Sequence, residues 1–166
     1  MKAKDISGQT PGGKRVRLAD VVPLDTPFLL YIFPIYACNF KCRYCIFSVA
    51  KEKRGFISAK TSLDFDLYKR CIDAAAKFPK KLKVLRFVGM GEPLLHKDIV
   101  GMVKYAVSQG VADTVEILTN ASLLTPEISD ALICAGLSRL IISLQGTTKE
   151  KYYEVSAVDI DFEKFI

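Results

Sequence analysis

Histidine is almost missing from this chain, with His96 the only one among 166 residues. A structural zinc site of the usual Cys/His kind is therefore hard to assemble, since it needs four closed ligands, usually supplied as two close pairs. Long apolar runs are missing too, although half the residues are hydrophobic. The N-terminus, MKAKDISGQT, has lysines but no apolar stretch behind them, which argues against a signal peptide, a membrane span or any membrane partner, so a cytoplasmic location is expected. Paired cysteines are lacking as well. There are five, and three fall within eight residues, whereas the disulfide framework of a secreted domain spreads its cysteines in pairs. Acidic residues are the scarcer charge, 18 against 24 Lys and Arg, for a net +6. Much of that excess sits in short runs such as Lys51, Lys53, Arg54 and Lys77, Lys80, Lys81, Lys83. Solvated loops and helix ends explain such runs better than a nucleic-acid partner does, and no aromatic-basic stripe for single strands is visible.

From about Phe28 onward, short β-branched or aromatic runs alternate with longer amphipathic stretches, the rhythm of βα units. The segment 1–27, polar at first and carrying Pro11-Gly12-Gly13, reads as a tail or a cover for the base of the fold. A first strand is expected from Phe28 to Tyr36, apolar enough to be covered on both faces and ended or bulged by Pro34. Thr61 with Asp64 resembles a capping box for a helix over 63–78, with Leu67, Cys71, Ile72 and Ala75 on its inner side. Leu82 to Val88 is the second strand, followed by a helix from about Lys97 to Ser108 that Gly110 ends. Val115 to Thr119 is the third strand, and Thr125-Pro126-Glu127 starts a helix that Gly136 ends. Arg139 to Leu144 is the fourth. Thr147 with Glu150 resembles another capping box, and Asp161-Phe162-Glu163-Lys164 another helix start. Strand and helix repeated four times imply parallel strands with right-handed crossovers. A full eight-unit barrel takes about 250 residues, so residues 28–166 make a partial (β/α) parallel barrel of about four units, with an edge that a partner chain or a further segment would cover.

Cys38, Cys42 and Cys45 form C-x3-C-x2-C directly after the first strand. Three thiolates on one tight loop can hold three irons of a cubane 4Fe-4S cluster and leave the fourth iron free of protein ligands. Zinc or a plain electron-transfer cluster would need a fourth ligand from Cys71, Cys134 or His96, which the element pattern does not bring near. The spacing, with aromatic Tyr44 before the last cysteine, resembles the signature of the radical S-adenosylmethionine (SAM) superfamily. That resemblance implies the N-terminal part of a (β/α)6 core in which reductive cleavage of SAM yields a 5'-deoxyadenosyl radical that abstracts hydrogen from a substrate. The cofactors implied are a 4Fe-4S cluster and SAM, and an electron donor such as flavodoxin or ferredoxin is a required partner.

By the same resemblance Tyr44 lies against the adenine. Gly89-Met90-Gly91-Glu92-Pro93, at the end of the second strand, is similar to the family's GGEP motif, whose contact is the SAM amino group. Glycines let the backbone approach a ligand, and a carboxylate beside them can receive an ammonium. Thr119-Asn120-Ala121 stands where relatives often carry Thr-Asn-Gly. Ser143-Leu144-Gln145-Gly146 is similar to a segment that reaches the SAM ribose and carboxylate, although Gln145 cannot ionise. Cys71 and Cys134 are expected as buried structural thiols, and His96 as a helix-start or surface residue. Similarity to members with a SPASM-type extension favours peptide or carbohydrate modification of a substrate that the sequence does not identify. A cluster- and SAM-binding module without turnover, an RNA methyltransferase and a glycyl-radical activating enzyme are the alternatives.

Overall fold

The computed structural model describes residues 17–20, 22–55 and 60–165. Four strands, β1 (Leu29–Ile32), β2 (Leu82–Phe87), β3 (Ala112–Thr119) and β4 (Arg139–Ile142), form one sheet in the order β1-β2-β3-β4. Every pair is parallel. Spatial order thus follows chain order, as crossover helices on a single face require, and the partial barrel expected from the sequence is what forms. The helices are α1 (Phe65–Ala75), α2 (Ile99–Gln109), α3 (Pro126–Cys134), α4 (Lys149–Ser156) and the single turn α5 (Phe162–Phe165). No helix among the described residues is long and apolar enough to cross a membrane.

The core lies between the sheet and α1–α3. Leu85 and Phe87 of β2 and Val115 and Ile117 of β3 meet Tyr68, Ile72, Met102, Val103 and Ala106 there. Alternate strand residues face that layer, and helix residues reach it at steps of three and four. Burying one large aliphatic or aromatic side chain in such a layer stabilises by about 1.5–3 kcal/mol. At the base of the sheet, the Phe28 carbonyl accepts from the Lys83 and Val84 amides, Thr26 Oγ1 accepts from the Lys80 amide, and Asp25 pairs with Lys80. Residues 1–16 of the expected tail lie outside the described residues.

Local chemistry moved several boundaries. β1 is four residues long, not nine, and Leu29 and Tyr31 are exposed, so only one of its faces is covered. Beyond it, residues 34–36 leave the sheet and bridge residues 61–63 in antiparallel fashion through Ile35 and Ser62. Tyr36 donates its amide to the Thr61 carbonyl, and Leu63 donates to that of Pro34. Extended in this way, Thr61 is no cap. Asp64 takes the role and accepts from the Leu67 amide at 2.9 Å. Thr148, not Thr147, caps α4, accepting from the Lys151 amide at 3.2 Å. The caps expected at Thr125 and Gly110 are in place.

The two outlying cysteines are exposed rather than buried. On α1 the inner stripe is Tyr68, Ile72 and Ala75, which leaves Leu67 and Cys71 on the solvent side. On α3 it is Leu132, and Cys134 lies more than half a turn away.

Candidate cofactor site

The cysteine loop is built at the C-terminal ends of the strands and fastened from three directions. Beneath it stands the last turn of α4, whose carbonyls have no partner within the helix. Ser156 O accepts from the Lys41 amide at 3.0 Å, and Val155 O accepts from the Arg43 amide at 2.9 Å. Arg43 also pairs with Glu154 at 2.9 Å. Between loop and helix, Phe40 meets Tyr152 edge-on with ring centroids 6.0 Å apart. Both rings are fully buried, and Phe162 and Phe165 pack against Tyr152 from α5.

All three thiols of the loop are free. Cys42 is buried, and Cys38 and Cys45 are half-buried against the Phe40–Tyr152 cluster. Burial pushes the Cys38 and Cys42 thiols above their ordinary range, and for Cys38 the nearby Glu92 carboxylate adds to it. The Phe40 amide, 3.4 Å from Cys38 Sγ, works the other way. Both thiols are therefore protonated at neutral pH in the free chain. Metal binding must release those protons, so it weakens as pH falls.

From β2 and β3 comes a knot of hydrogen bonds centred on Glu92, which is only 2% exposed. Its amide donates to the Ala37 carbonyl, next to Cys38, at 2.8 Å. Oε1 accepts from the Leu94 amide at 3.0 Å and from Thr119 Oγ1 at 2.6 Å, and Oε2 accepts from the Asn120 amide at 2.8 Å. A carboxylate has about four acceptor positions, so one remains on Oε2. Asn120 then reaches the loop itself, its Nδ2 donating to Asn39 Oδ1 at 3.0 Å and lying 4.0 Å from Cys38 Sγ. Pro93, also buried, begins the short 3-10 turn that follows Glu92.

Gly89 and Gly91 both have positive φ, +121° and +144°. A Cβ on Gly91 would sit 2.1 Å from the Ile35 carbonyl oxygen, and one on Gly89 would fall 1.8 Å from the Phe33 ring. Glycine is what lets this segment lie against the β1 exit.

From β4 the link is a side-chain relay. The Tyr44 hydroxyl donates to Gln145 Oε1. Gln145 Nε2 donates in turn to the Ser143 carbonyl at 3.0 Å. The Tyr44 ring is 69% exposed, so it stands at the mouth of the site and is not packed beneath the loop. The Ser143 amide donates to the Thr119 carbonyl at 2.8 Å, continuing the ladder to the rim.

Residues chosen in sequence as far apart as Cys38 and Gln145 thus share one connected rim. His96 does not join them. It stands at the start of α2 but is buried, against expectation, with Nδ1 accepting from the Asp98 amide at 3.1 Å and Nε2 donating to the Leu63 carbonyl at 2.9 Å. Tyr152 and the end of α4 belong to the site and were not foreseen, whereas Thr119, named with Asn120 in sequence, is there through its bond to Glu92. Thr119 was legible as the polar end of an apolar strand, whereas nothing local marked Tyr152.

Ala121 has φ +60°, where its methyl is strained and a glycine would not be. Ala121→Gly is expected to stabilise the chain by about 1 kcal/mol, read as a higher urea midpoint at unchanged slope. An unchanged midpoint would remove the strain from the account.

The donor set suits an iron-sulfur cluster. Among the described residues no three His, Cys, Asp or Glu side chains are gathered for a single ion. A cubane takes one thiolate per iron and so spreads its ligands. The floor beneath the thiols is apolar, and the buried Tyr152 hydroxyl has no hydrogen-bond partner. Burial, with a smaller contribution from the charge of nearby Cys42, pushes that hydroxyl up to about 12. An orphan donor beside three thiols is suited to a thiolate or sulfide acceptor.

Comparison with known proteins agrees. The chain is 32% identical over 115 residues to the tungsten-containing aldehyde ferredoxin oxidoreductase cofactor-modifying protein of Pyrococcus furiosus, covering 69% of this chain and 30% of that one. It is 34% identical over 123 residues to the GTP 3',8-cyclase of Chlorobaculum tepidum, covering 74% and 34%. It therefore spans about a third of the length of the curated relatives it matches. Among solved structures, BtrN in complex with AdoMet and 2-DOIA superposes with a TM-score of 0.61 at 26% identity, covering 78% of this chain and 50% of that chain. Streptococcus suis SuiB bound to precursor peptide SuiA gives 0.66 at 21%, covering 89% and 32%, a likeness of fold. The Radical SAM superfamily profile matches residues 32–166, and with that match the chain belongs to the radical SAM superfamily, enzymes whose cofactors are a 4Fe-4S cluster and SAM.

Proposed function

We propose that Cys38, Cys42 and Cys45 hold a 4Fe-4S cluster and that the rim closing β2, β3 and β4 seats SAM beside it. One observation carries this reading: the three free thiols share a loop that Glu92, Asn120 and Gln145 each tie, directly or through Tyr44, to the end of a different strand. A cluster held by Cys38, Cys42 and Cys45 would supply the one electron needed for reductive cleavage of SAM, and the cleaved SAM would serve to remove a hydrogen atom from substrate.

The chain's own residues position and shield. Phe40, Tyr152, Phe162 and Phe165 exclude water beneath the thiols. Tyr44 would offer its exposed ring to the adenine, and Gln145 and Ser143 would serve the ribose and carboxylate. Gly89, Gly91 and Pro93 shape the loop that faces the methionine moiety. Glu92 fixes Asn120 and the cysteine loop and keeps one acceptor position for the SAM ammonium. An electron donor such as flavodoxin or ferredoxin supplies the electron.

Peptide or carbohydrate modification is favoured; among the solved neighbours SuiB is bound to a precursor peptide and BtrN to 2-DOIA. Among the described residues β4 has no strand on its outer side, and further chain or a partner would close it there. The test is to reconstitute the chain with iron and sulfide, then add dithionite and SAM. Equal amounts of 5'-deoxyadenosine and methionine are expected. Neither product from protein with an intact cluster would sink the catalytic reading for this chain.

A further inference from the structure

The middle of a parallel sheet is a costly place for charge, yet three consecutive strands here each carry one. Arg86 of β2, Glu116 of β3 and Arg139 of β4 are register neighbours. The residues beside them, Leu85, Phe87, Val115, Ile117 and Leu140, face the helices, so strand alternation turns the three charges onto the opposite face. In a barrel that face is the lumen.

Glu116 is completely buried between the two arginines. Its Oε2 accepts from Arg86 Nε at 2.8 Å and lies 2.7 Å from Nη2, while Arg139 Nε lies 3.1 Å from Oε1. Tyr31, the neighbour of Arg86 on β1, has its ring centroid 5.8 Å from that guanidinium.

The charges do not balance. One carboxylate neutralises one of two guanidiniums and leaves a positive charge on the helix-free face. Arg139 is the loosely held member. Its Nε and Glu116 Oε1 form an ion pair without hydrogen-bond alignment, and both are otherwise without a partner. The two arginine side chains stay 20% and 25% exposed. Each guanidinium has five N–H donors, most of them still uncommitted, in a fork that matches carboxylate and phosphate oxygens.

We propose that this row is an oxyanion subsite of the substrate pocket, binding a carboxylate or phosphate group of the substrate on Arg86 and Arg139, with Glu116 offsetting one of the two positive charges and so competing with the bound anion. The proposal rests on the sheet being a radical SAM core whose lumen takes the substrate. Asn120, at the cofactor rim, is four residues beyond Glu116 along β3. At a rise of about 3.3 Å per residue that is about 13 Å, within reach of a substrate anchored by its charged end.

The test titrates inorganic pyrophosphate and, separately, succinate into the 166-residue chain without iron or SAM, by calorimetry. Saturable binding of at least one is expected. Arg139→Gln, which leaves a balanced Arg86–Glu116 pair, should weaken it about tenfold or more, and Glu116→Gln, which frees both forks, should tighten it about tenfold. A gain of affinity cannot come from misfolding, so the second variant guards the first. Tighter pyrophosphate points to a phosphate-bearing substrate, and tighter succinate to a carboxylate-bearing one. Binding of neither anion, or equal affinity in all three proteins, overturns the subsite. Iron content and SAM cleavage are assayed separately. Anion binding without SAM cleavage overturns only the radical chemistry, and cleavage without anion binding overturns only the subsite.

Discussion

Replacing Cys42 by Ala is expected to abolish the visible absorbance and the bound iron of the reconstituted chain, and Cys38→Ala or Cys45→Ala should do the same. Each thiolate is proposed to hold a different iron, so losing one leaves a cluster with two protein anchors and two open irons. No spare ligand stands by. The remaining cysteines, Cys71 and Cys134, are exposed on the outer helices, and His96 is committed through both ring nitrogens to Leu63 and Asp98. Cys71→Ala should accordingly leave iron and absorbance at the wild-type level. A Cys42→Ala protein with a full iron complement would refute the ligand assignment.

The second large effect is expected at Glu92. Glutamine has nearly the same shape but carries one acceptor oxygen and one amide nitrogen. Placed at Oε1, the nitrogen would face the Leu94 amide, and placed at Oε2 it would face that of Asn120. Either way a buried donor meets a donor. Glu92→Gln should therefore cost about 3 kcal/mol, or about 6–12 °C of melting temperature for a chain of this size. SAM affinity should fall with it, because Asn120 loses its carboxylate anchor and the acceptor position left on Oε2 loses its charge, while the backbone bond from residue 92 to Ala37 stays. A variant that melts with the wild type and binds SAM equally well would return the glycine-glutamate segment to the status of an ordinary turn.

Much of the fold was legible because its signals are local. Gly110 and Thr125-Pro126 mark helix ends by backbone chemistry that needs no tertiary partner, and the apolar runs of β2 and β3 stand out by composition. Errors arose where one segment's hydrogen bonds are claimed by another. Thr61 looks like a cap until Pro34–Tyr36 takes residues 61–63 as an extended partner. Cys71 looks like a core residue until the helix turns Tyr68 inward beside the expected Ile72 and Ala75. The site divides in the same way. The three cysteines announce themselves by spacing, whereas the saturation of the Glu92 carboxylate depends on Thr119 and Asn120, which no pattern ties to it. The charged row had a visible signal, Arg86 and Glu116 flanked on both sides by apolar residues within their strands, that hydrophobic patterning passes over.

The end of α4 gives the cysteine loop a place in time as well as in space. Arg43 and its ion-pair partner Glu154 are 111 positions apart, and the carbonyls that hold the loop backbone follow directly after Glu154. At about 5–20 residues per second, a ribosome needs roughly 6 to 20 seconds to make that stretch. During that interval the thiols have emerged but their cradle has not. Iron and sulfide delivered early would meet a floppy tripeptide-like set of sulfurs open to oxidation and stray metals. Maturation of the proposed centre is thus tied to α4, and damage to that helix should show first as a failure to assemble the cluster.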